Sequence, residues 1–360
     1  MAPVKRVIKH LRDTHQLAAM DYRSLLENDD PQEISYLYEE ARKAAVSIFG
    51  NNIYIRGLIE VSNYCRNNCY YCGIRASNTH VNRYRLSKEQ ILACCEYGYG
   101  LGFRTFVLQG GEDPMQTDEW VEDVVRSIHA AHPGCAITLS LGEKDPESYK
   151  RFREAGADRY LLRHESFDSD HYGRLHPAGM SRDRRLECLR SLKENGYQTG
   201  SGIMVGSPYQ TLDHVVEDLL FIQEFRPEMI GIGPFVHHHD TPFAGFPDGS
   251  VALTLKLISI FRLMHPQALI PSTTAIATLE SDGHRKAILA GANVVMPNLS
   301  PASIRKEYAL YDNKAAFATE SAEGLEELRK ELRSIGYEII VDRGDYNKTQ
   351  SIQKNTIEYV

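Results

Sequence analysis

Between residues 53 and 296 short apolar runs alternate with amphipathic stretches, and this alternation constrains the fold more than any other feature of the chain. The apolar runs fall at 53–61, 105–109, 136–141, 159–162, 199–205, 229–233, 269–272 and 293–296 and read as strands. Apolar residues at helical spacing fill the intervals at about 87–101, 117–131, 146–155, 181–195, 211–225, 251–264 and 282–290, with a last helix at 301–310 or 321–334. Strands separated by helices pair parallel, because a helical crossover brings the chain back to start the next strand in the same direction. The repeat count predicts an α/β fold, a closed (β/α)8 barrel of the TIM type. Small residues at Glu154-Ala155-Gly156-Ala157-Asp158 and Leu289-Ala290-Gly291-Ala292-Asn293 suit the tight helix-to-strand returns of such a barrel.

The flanks differ from this core. Residues 1–50 carry helical spacing, broken at Asn28-Asp29-Asp30-Pro31 and ended by Gly50-Asn51-Asn52, and read as an N-terminal helical cap. The barrel is expected over 51–340, with a polar, unpatterned C-terminal tail over 341–360. A hydrophobic fraction of 42% supports a sizeable core, and 41 basic against 48 acidic residues argues against broad nucleic-acid or membrane-surface binding. Met1 to His15 is polar and no apolar run reaches membrane-spanning length, so a cytoplasmic location is expected, where thiols stay reduced. Seven cysteines, three of them clustered, then suit a metal site better than a disulfide framework.

The cluster follows the first strand: Cys65-Arg66-Asn67-Asn68-Cys69-Tyr70-Tyr71-Cys72-Gly73. Asn63, Asn67 and Asn68 favour a curled loop that lets the three thiols converge. A 4Fe-4S cluster takes four thiolates, so three leave one iron open to another ligand. The other expected strand ends are also polar or glycine-rich: Gly110-Gly111-Glu112-Asp113-Pro114, Ser140-Leu141-Gly142-Glu143, Arg163-His164-Glu165, Gly202 to Pro208, Gly233-Pro234-Phe235 with His237-His238-His239-Asp240, Thr273-Thr274 and Pro297-Asn298. In a barrel these loops build the active site. Taken singly, Gly-Gly reads equally as an ordinary turn, Arg163 with Glu165 as a structural ion pair, and Arg185 as a solubilising helix residue.

The three-cysteine run, with Tyr71 before its last member and Gly-Gly-Glu after the next strand, resembles the radical S-adenosylmethionine superfamily. A longer series resembles FeFe-hydrogenase maturases of the HydE type, in the biotin synthase-like branch. It runs through Leu108-Gln109-Gly110-Gly111-Glu112-Asp113-Pro114, Tyr160-Leu161-Leu162-Arg163-His164-Glu165 and Pro271-Ser272-Thr273-Thr274-Ala275. The resemblance implies that Cys65, Cys69 and Cys72 hold one 4Fe-4S cluster whose open iron binds S-adenosylmethionine. Gly110, Gly111 and Glu112 would hold the methionyl end, Tyr71 and Met204 would lie near adenine, and Ser140, Glu165 and Arg185 would complete the cofactor pocket. Arg163, Thr273, Thr274, Met296 and Tyr308 would line a deeper substrate or anion site. The implied substrate is a cysteine-bound iron carbonyl cyanide complex. Implied partners are other hydrogenase maturases and a reduced ferredoxin or flavodoxin. Two departures stand out: no cysteine follows Cys188, so a second cluster is not expected, and Gly202 to Tyr209 lacks the final Glu of the superfamily's corresponding string.

Cys94, Cys95, Cys135 and Cys188 read as buried, inert thiols. His237, His238 and His239 read as structural or mouth residues, since consecutive side chains diverge. Arg83 and Arg85 read either as props of the cysteine loop or as a solvated pair. Two alternatives stand beside the maturase: a radical amino-acid mutase of the methylornithine synthase type, and a structural zinc module with His80 as fourth ligand.

Overall fold

The computed structural model describes residues 3–314 and 320–346; most of the expected C-terminal tail, 347–360, lies outside them. The eleven strands among the described residues are β1 (Asn52–Ile55), β2 (Gly57–Ser62), β3 (Thr105–Gly110), β4 (Ala136–Ser140), β5 (Arg159–Leu161), β6 (Gln198–Ser201), β7 (Met204–Val205), β8 (Met229–Ile230), β9 (Gly233–Pro234), β10 (Val294–Val295) and β11 (Glu338–Ile340). Their ladders are all parallel. β2-β3-β4-β5-β6-β8 form a six-stranded sheet, β10-β1-β11 a second, and β7-β9 a short third. Beyond β8 the pairing continues through single parallel bridges, Met229 with Leu269, Pro271 with Val294 and Asn298 with Leu58. The regular sheet therefore has six strands, and the last two positions of the expected eight are held by bridges rather than ladders. Pro271 gives one reason: without an N–H it cannot extend a ladder.

Most of the helices expected from periodicity form within a residue of where they were expected: Lys88–Gly100, Asp118–Ala131, Pro146–Ala155, Arg182–Glu194, Leu212–Phe225, Val251–Met264 and Gly283–Leu289. Ser87, Thr117, Ser181, Thr211 and Ser250 each cap the following helix with a side-chain oxygen. Of the two sites offered for the last helix, Leu325–Ser334 forms, whereas the 301–310 stretch holds only a 3-10 turn at Arg305–Glu307. Two short helices, Ser169–Leu175 and Thr274–Leu279, are too brief to show a helical period.

Three expected strands are divided. The 53–61 run splits at Arg56 because its first half pairs with β10 and β11 and its second half with β3. The 199–205 run splits at Gly202, which passes so close to the next chain that a Cβ there would sit 1.9 Å from the Gly231 carbonyl oxygen. The 229–233 run separates into β8 and β9, paired to different neighbours.

Helices Pro3–Thr14, Ala19–Glu27 and Pro31–Phe49 cover one flank, the last packed on the nearly all-buried helix Val251–Met264. Beneath the sheet, Arg343 pairs with Asp158 at 2.9 Å and Asp345 with fully buried Arg159 at 2.6 Å. Parallel pairing sends every strand's carboxyl end to the opposite face, where the polar loops gather.

Candidate active site

The cysteine loop leaves β2 and is fastened from within. Asn63 donates to the carbonyls of Asn82 (2.8 Å) and Glu307 (2.7 Å) and accepts the Tyr84 N–H at 2.7 Å. Arg83 donates to four loop carbonyls, those of Asn63, Ile74, Arg75 and Asn78. Arg85 pairs bidentately with Asp113 at 2.6 and 2.9 Å and lies over the Tyr64 ring at 3.6 Å. Both arginines thus hold the loop, and neither is a merely solvated surface residue.

Cys65, Cys69 and Cys72 are half-buried free thiols. Burial raises all three thiol pKa values, Cys72 to about 12, and the charges of Cys65 and Cys72 add to the rise at Cys69. Thiols this reluctant to ionise become thiolates only where a positive centre compensates them. Their sulfurs do not form a group mutually within 4.8 Å; among the described residues that grouping belongs to His238, His239 and Asp312. Three cysteine thiols on one loop, one short of the four thiolates that a 4Fe-4S cluster takes, are the donor set of such a cluster with one open iron.

β3 delivers Gly110-Gly111 against this loop. A Cβ on Gly111 would lie 2.3 Å from the Tyr64 carbonyl oxygen and 2.7 Å from the Cys65 Cβ. Glu112 is committed elsewhere: one oxygen accepts from Arg66 Nε at 2.9 Å, the other from the Glu143 N–H at 2.9 Å. Its side chain braces two loops. Ser140, at the end of β4, stands opposite Gln109 in register and is half-buried.

Next to the cysteines lies a charged ring. Buried Arg185 donates to Glu143 at 2.6 Å and to the Arg163 carbonyl at 2.6 Å, so the helix start does point into the mouth. Arg163 pairs with Glu165 at 2.9 Å. Glu165 holds a left-handed backbone at φ 64°, uncommon for a residue with a side chain, and its Oε2 is buried without a partner. The Tyr71 hydroxyl lies 3.2 Å from His176 Nε2. Burial drives the His176 pKa down to about 3 and that of Tyr71 up, so the phenol donates and the neutral imidazole accepts. Tyr71 packs on a small aromatic cluster that contains Met204, Phe235 and Phe243. Tyr71 and Met204, the two residues that the resemblance sets near adenine, thus belong to one cluster.

Deeper, Thr273 Oγ1 is buried without a partner, whereas Thr274 Oγ1 donates to Glu320 at 2.6 Å. Glu320 also bonds His284, whose Nδ1 meets Ser272 Oγ at 2.7 Å. Met296 lines a small cavity with Thr274, His284 and Glu320. Buried Tyr308 meets Gln109 at 3.5 Å, and Lys314 crosses its ring at 5.0 Å while pairing with fully buried Glu60. His284, Glu320, Lys314 and His176 escaped sequence reading. So did Met180, whose sulfur is 3.9 Å from Cys69 Sγ. No short spacing in the chain announces any of them.

Cys94, Cys95, Cys135 and Cys188 are buried, with burial the leading cause of their raised pKa values. The histidine run departs from expectation. His238 and His239 do not diverge but stack at 4.6 Å and 16°, with His239 Nδ1 2.6 Å from Asp312. His237 bonds Asp248 at 2.8 Å, and His80 bonds Asp240 at 2.9 Å. Among the described residues no helix is long and apolar enough to cross a membrane.

Fold and site together define a parallel α/β protein that sets three thiols beside a charged cluster with unpartnered buried oxygens at the carboxyl ends of its strands. The family model "Radical SAM superfamily" matches residues 59–222, and "Biotin and Thiamin Synthesis associated domain" matches 229–338. The chain is 45% identical over 278 residues to the [FeFe] hydrogenase maturase subunit HydE of Thermotoga maritima, covering 77% of this chain and 78% of that protein. It is 32% identical over 324 residues to 3-methylornithine synthase of Methanosarcina barkeri, covering 89% and 88%. Among solved structures, methylornithine synthase (PylB) superposes with a TM-score of 0.82 at 30% identity, covering 92% of this chain and 97% of that one. The chain belongs to the radical S-adenosylmethionine superfamily, in the HydE-type maturase family of its biotin synthase-like branch. It is a radical enzyme of the group that works with a 4Fe-4S cluster and S-adenosylmethionine.

Proposed function

We propose that this enzyme acts in assembly of the FeFe-hydrogenase two-iron subcluster, on a cysteine-bound iron carbonyl cyanide precursor attacked at sulfur. The observation that carries the reading is 45% identity across 78% of the HydE maturase, against 32% for the methylornithine synthase. Cys65, Cys69 and Cys72 would hold the cluster. When bound, the reduced cluster and S-adenosylmethionine supply a 5′-deoxyadenosyl radical, chemistry that belongs to the cofactors.

The protein's part is placement. Gly110 and Gly111 let backbone approach the methionyl end, beside Ser140, while Glu112 keeps the cysteine loop and the Glu143 loop in register. Arg185, fixed by Glu143, sets the charge of the pocket wall. The unpartnered Glu165 oxygen is an acceptor for ribose hydroxyls or an amino group, and Tyr71 and Met204 offer an apolar seat for adenine. Arg163, Thr273, Thr274, Met296 and Tyr308 orient the substrate below and keep water from the radical.

Thr273→Val tests the deep site. It keeps the side chain's shape but removes the one unpartnered hydroxyl there, and a lost hydrogen bond of about 1.5 kcal/mol is about tenfold in rate. Product formation from the iron carbonyl cyanide substrate is expected to fall by about that factor, while uncoupled release of 5′-deoxyadenosine holds. Equal loss of both would remove Thr273 from the substrate site.

A second reading, an amino-acid mutase of the methylornithine synthase type, is favoured by the 0.82 TM-score over 92% of the chain. Lysine incubated with the reconstituted, reduced enzyme distinguishes the two. Isomerised lysine would establish the mutase, and hydrogenase that matures normally after deletion of this gene would overturn the maturase.

A further inference from the structure

Glu165, with its unpartnered Oε2, is the central residue of a three-residue turn. The Ser166 N–H donates to the His164 carbonyl at 2.8 Å, and φ at Glu165 is 64°. A turn of this hand is strained for a residue that carries a side chain, and it persists only where its surroundings fix both ends. The Glu165 N–H itself donates to the Gly202 carbonyl at 3.1 Å, and His164, Glu165 and Ser166 are all buried.

Both ends of the turn are gripped by one face of the helix Leu212–Phe225, where Asp218 and Phe221 lie three residues apart. Asp218 Oδ1 lies 3.2 Å from His164 Nε2, ahead of the turn, and accepts the Phe167 N–H, behind it, at 2.6 Å. The Phe221 ring meets the His164 ring at 4.7 Å and stacks on Phe167 at 5.0 Å. On the far side His164 Nδ1 bonds Ser201 Oγ at 2.9 Å, and Ser166 Oγ meets His171 Nδ1 at 2.9 Å. Asp218 is fully buried and its Oδ2 has no partner; burial raises its pKa. A buried carboxyl with an idle oxygen is unfavourable in itself. What the placement achieves is a single atom bonded to both flanks of the Glu165 turn.

We propose that Asp218 is a positioning residue for S-adenosylmethionine: by pinning both flanks of the turn it holds the Glu165 carboxylate in place to accept from the cofactor. The inference rests on the reading of Glu165 as a cofactor contact. Asp218 acts through that residue and not on the ligand. With the clamp released, the turn relaxes out of its left-handed conformation and the Glu165 oxygen leaves its position. The ligand must then restore the turn from its own binding energy, which lowers affinity and leaves cleavage of bound cofactor unaffected.

The test is calorimetry of S-adenosylmethionine on the reconstituted, oxidised holoenzyme, with iron content and the kinetics of 5′-deoxyadenosine formation measured on the same protein. Asp218→Ala is expected to weaken binding by about tenfold at unchanged iron content, and to raise KM while kcat holds. Asp218→Asn keeps an oxygen for both bonds and should stay within about threefold of the unsubstituted enzyme. Glu165→Ala weakens binding by itself, and adding Asp218→Ala to it should bring no further loss, because the two residues act as one unit. Ser201→Ala removes the hydroxyl behind His164 and should show the same coupling with a smaller loss, which keeps the proposal testable where Asp218→Ala does not fold. Unchanged affinity in Asp218→Ala or Ser201→Ala overturns the proposal. So do additive losses in the double variant, or a loss in Asp218→Asn as large as that in Asp218→Ala. Unchanged affinity in Glu165→Ala would instead remove Glu165 from the cofactor pocket, so the two failures are distinguishable.

Discussion

Cys69→Ala is expected to abolish both the 4Fe-4S signal after anaerobic reconstitution and the formation of 5′-deoxyadenosine, whereas Cys135→Ala leaves both intact. The contrast follows from position. Cys69 sits with Cys65 and Cys72 on a loop stapled by Arg83, at the carboxyl ends of the strands. Cys135 is buried at the opposite end, just ahead of β4, behind Arg343. With two thiolates left, the loop has too few ligands for a stable cluster, and S-adenosylmethionine loses the open iron. Iron and sulfide analysis, electron paramagnetic resonance after reduction, and chromatography of the nucleoside product report on the two steps separately. A Cys69→Ala protein that retained four irons and cleaved the cofactor would remove this loop from the chemistry.

Asp113→Ala should cost about 3 kcal/mol of folding stability, the largest loss expected from any single side chain beside the site. The carboxylate is fully buried and accepts from Ser62 Oγ at 2.7 Å, from Arg85 at 2.6 and 2.9 Å, and from the Met115 N–H at 3.0 Å. Its removal leaves the Met115 amide and the Ser62 hydroxyl without this acceptor and frees Arg85 from the cysteine loop. Burial pushes the Asp113 pKa up, but the bonds from Arg85 and Ser62 outweigh it and hold it below its ordinary value. A group depressed on folding contributes stability that is complete above its unfolded value, near about 3.9, and is lost as pH falls through the lower folded value. Urea unfolding midpoints of the native enzyme should therefore show this contribution at neutral pH and its decline below about pH 4, with the Asp113→Ala protein lacking that component. Equal midpoints for the two proteins at pH 7 would contradict the account.

Much of this architecture is legible without coordinates where the signal is local. The helix over 251–264 and the helix over 146–155 are readable to the residue because their start signals are local, a Ser250 cap in the first and Pro146 in the first turn of the second. The helix Ser169–Leu175 was not, since seven residues hold less than two turns. The small strand β11 was invisible for a related reason: three residues carry no alternation of their own, and their pairing with β1 is a property of the whole sheet.

The site divides along the same line. Arg185 reads from sequence as an ordinary helix arginine, and only the placement of the Glu143 loop makes it part of a pocket wall. Glu112, placed by resemblance at the methionyl end, turns its carboxylate to Arg66 and the Glu143 amide. Thr274 looks equivalent to Thr273 in the chain, yet one hydroxyl is taken by Glu320 and the other is left open. That difference arises from a partner 46 residues away.

The sequence by itself determined the order of strands and helices, the face to which the polar loops belong, and the placing of Cys65, Cys69 and Cys72 on one loop after β2. Each follows from periodicity or from spacing within a few residues, where covalent geometry leaves few choices. Only the tertiary structure decided that the regular sheet stops at six strands, that Glu165 and Thr273 keep unpartnered oxygens, and that Tyr70 lines an aromatic groove. Those outcomes depend on register and packing between segments distant in the chain, and no local rule sets them.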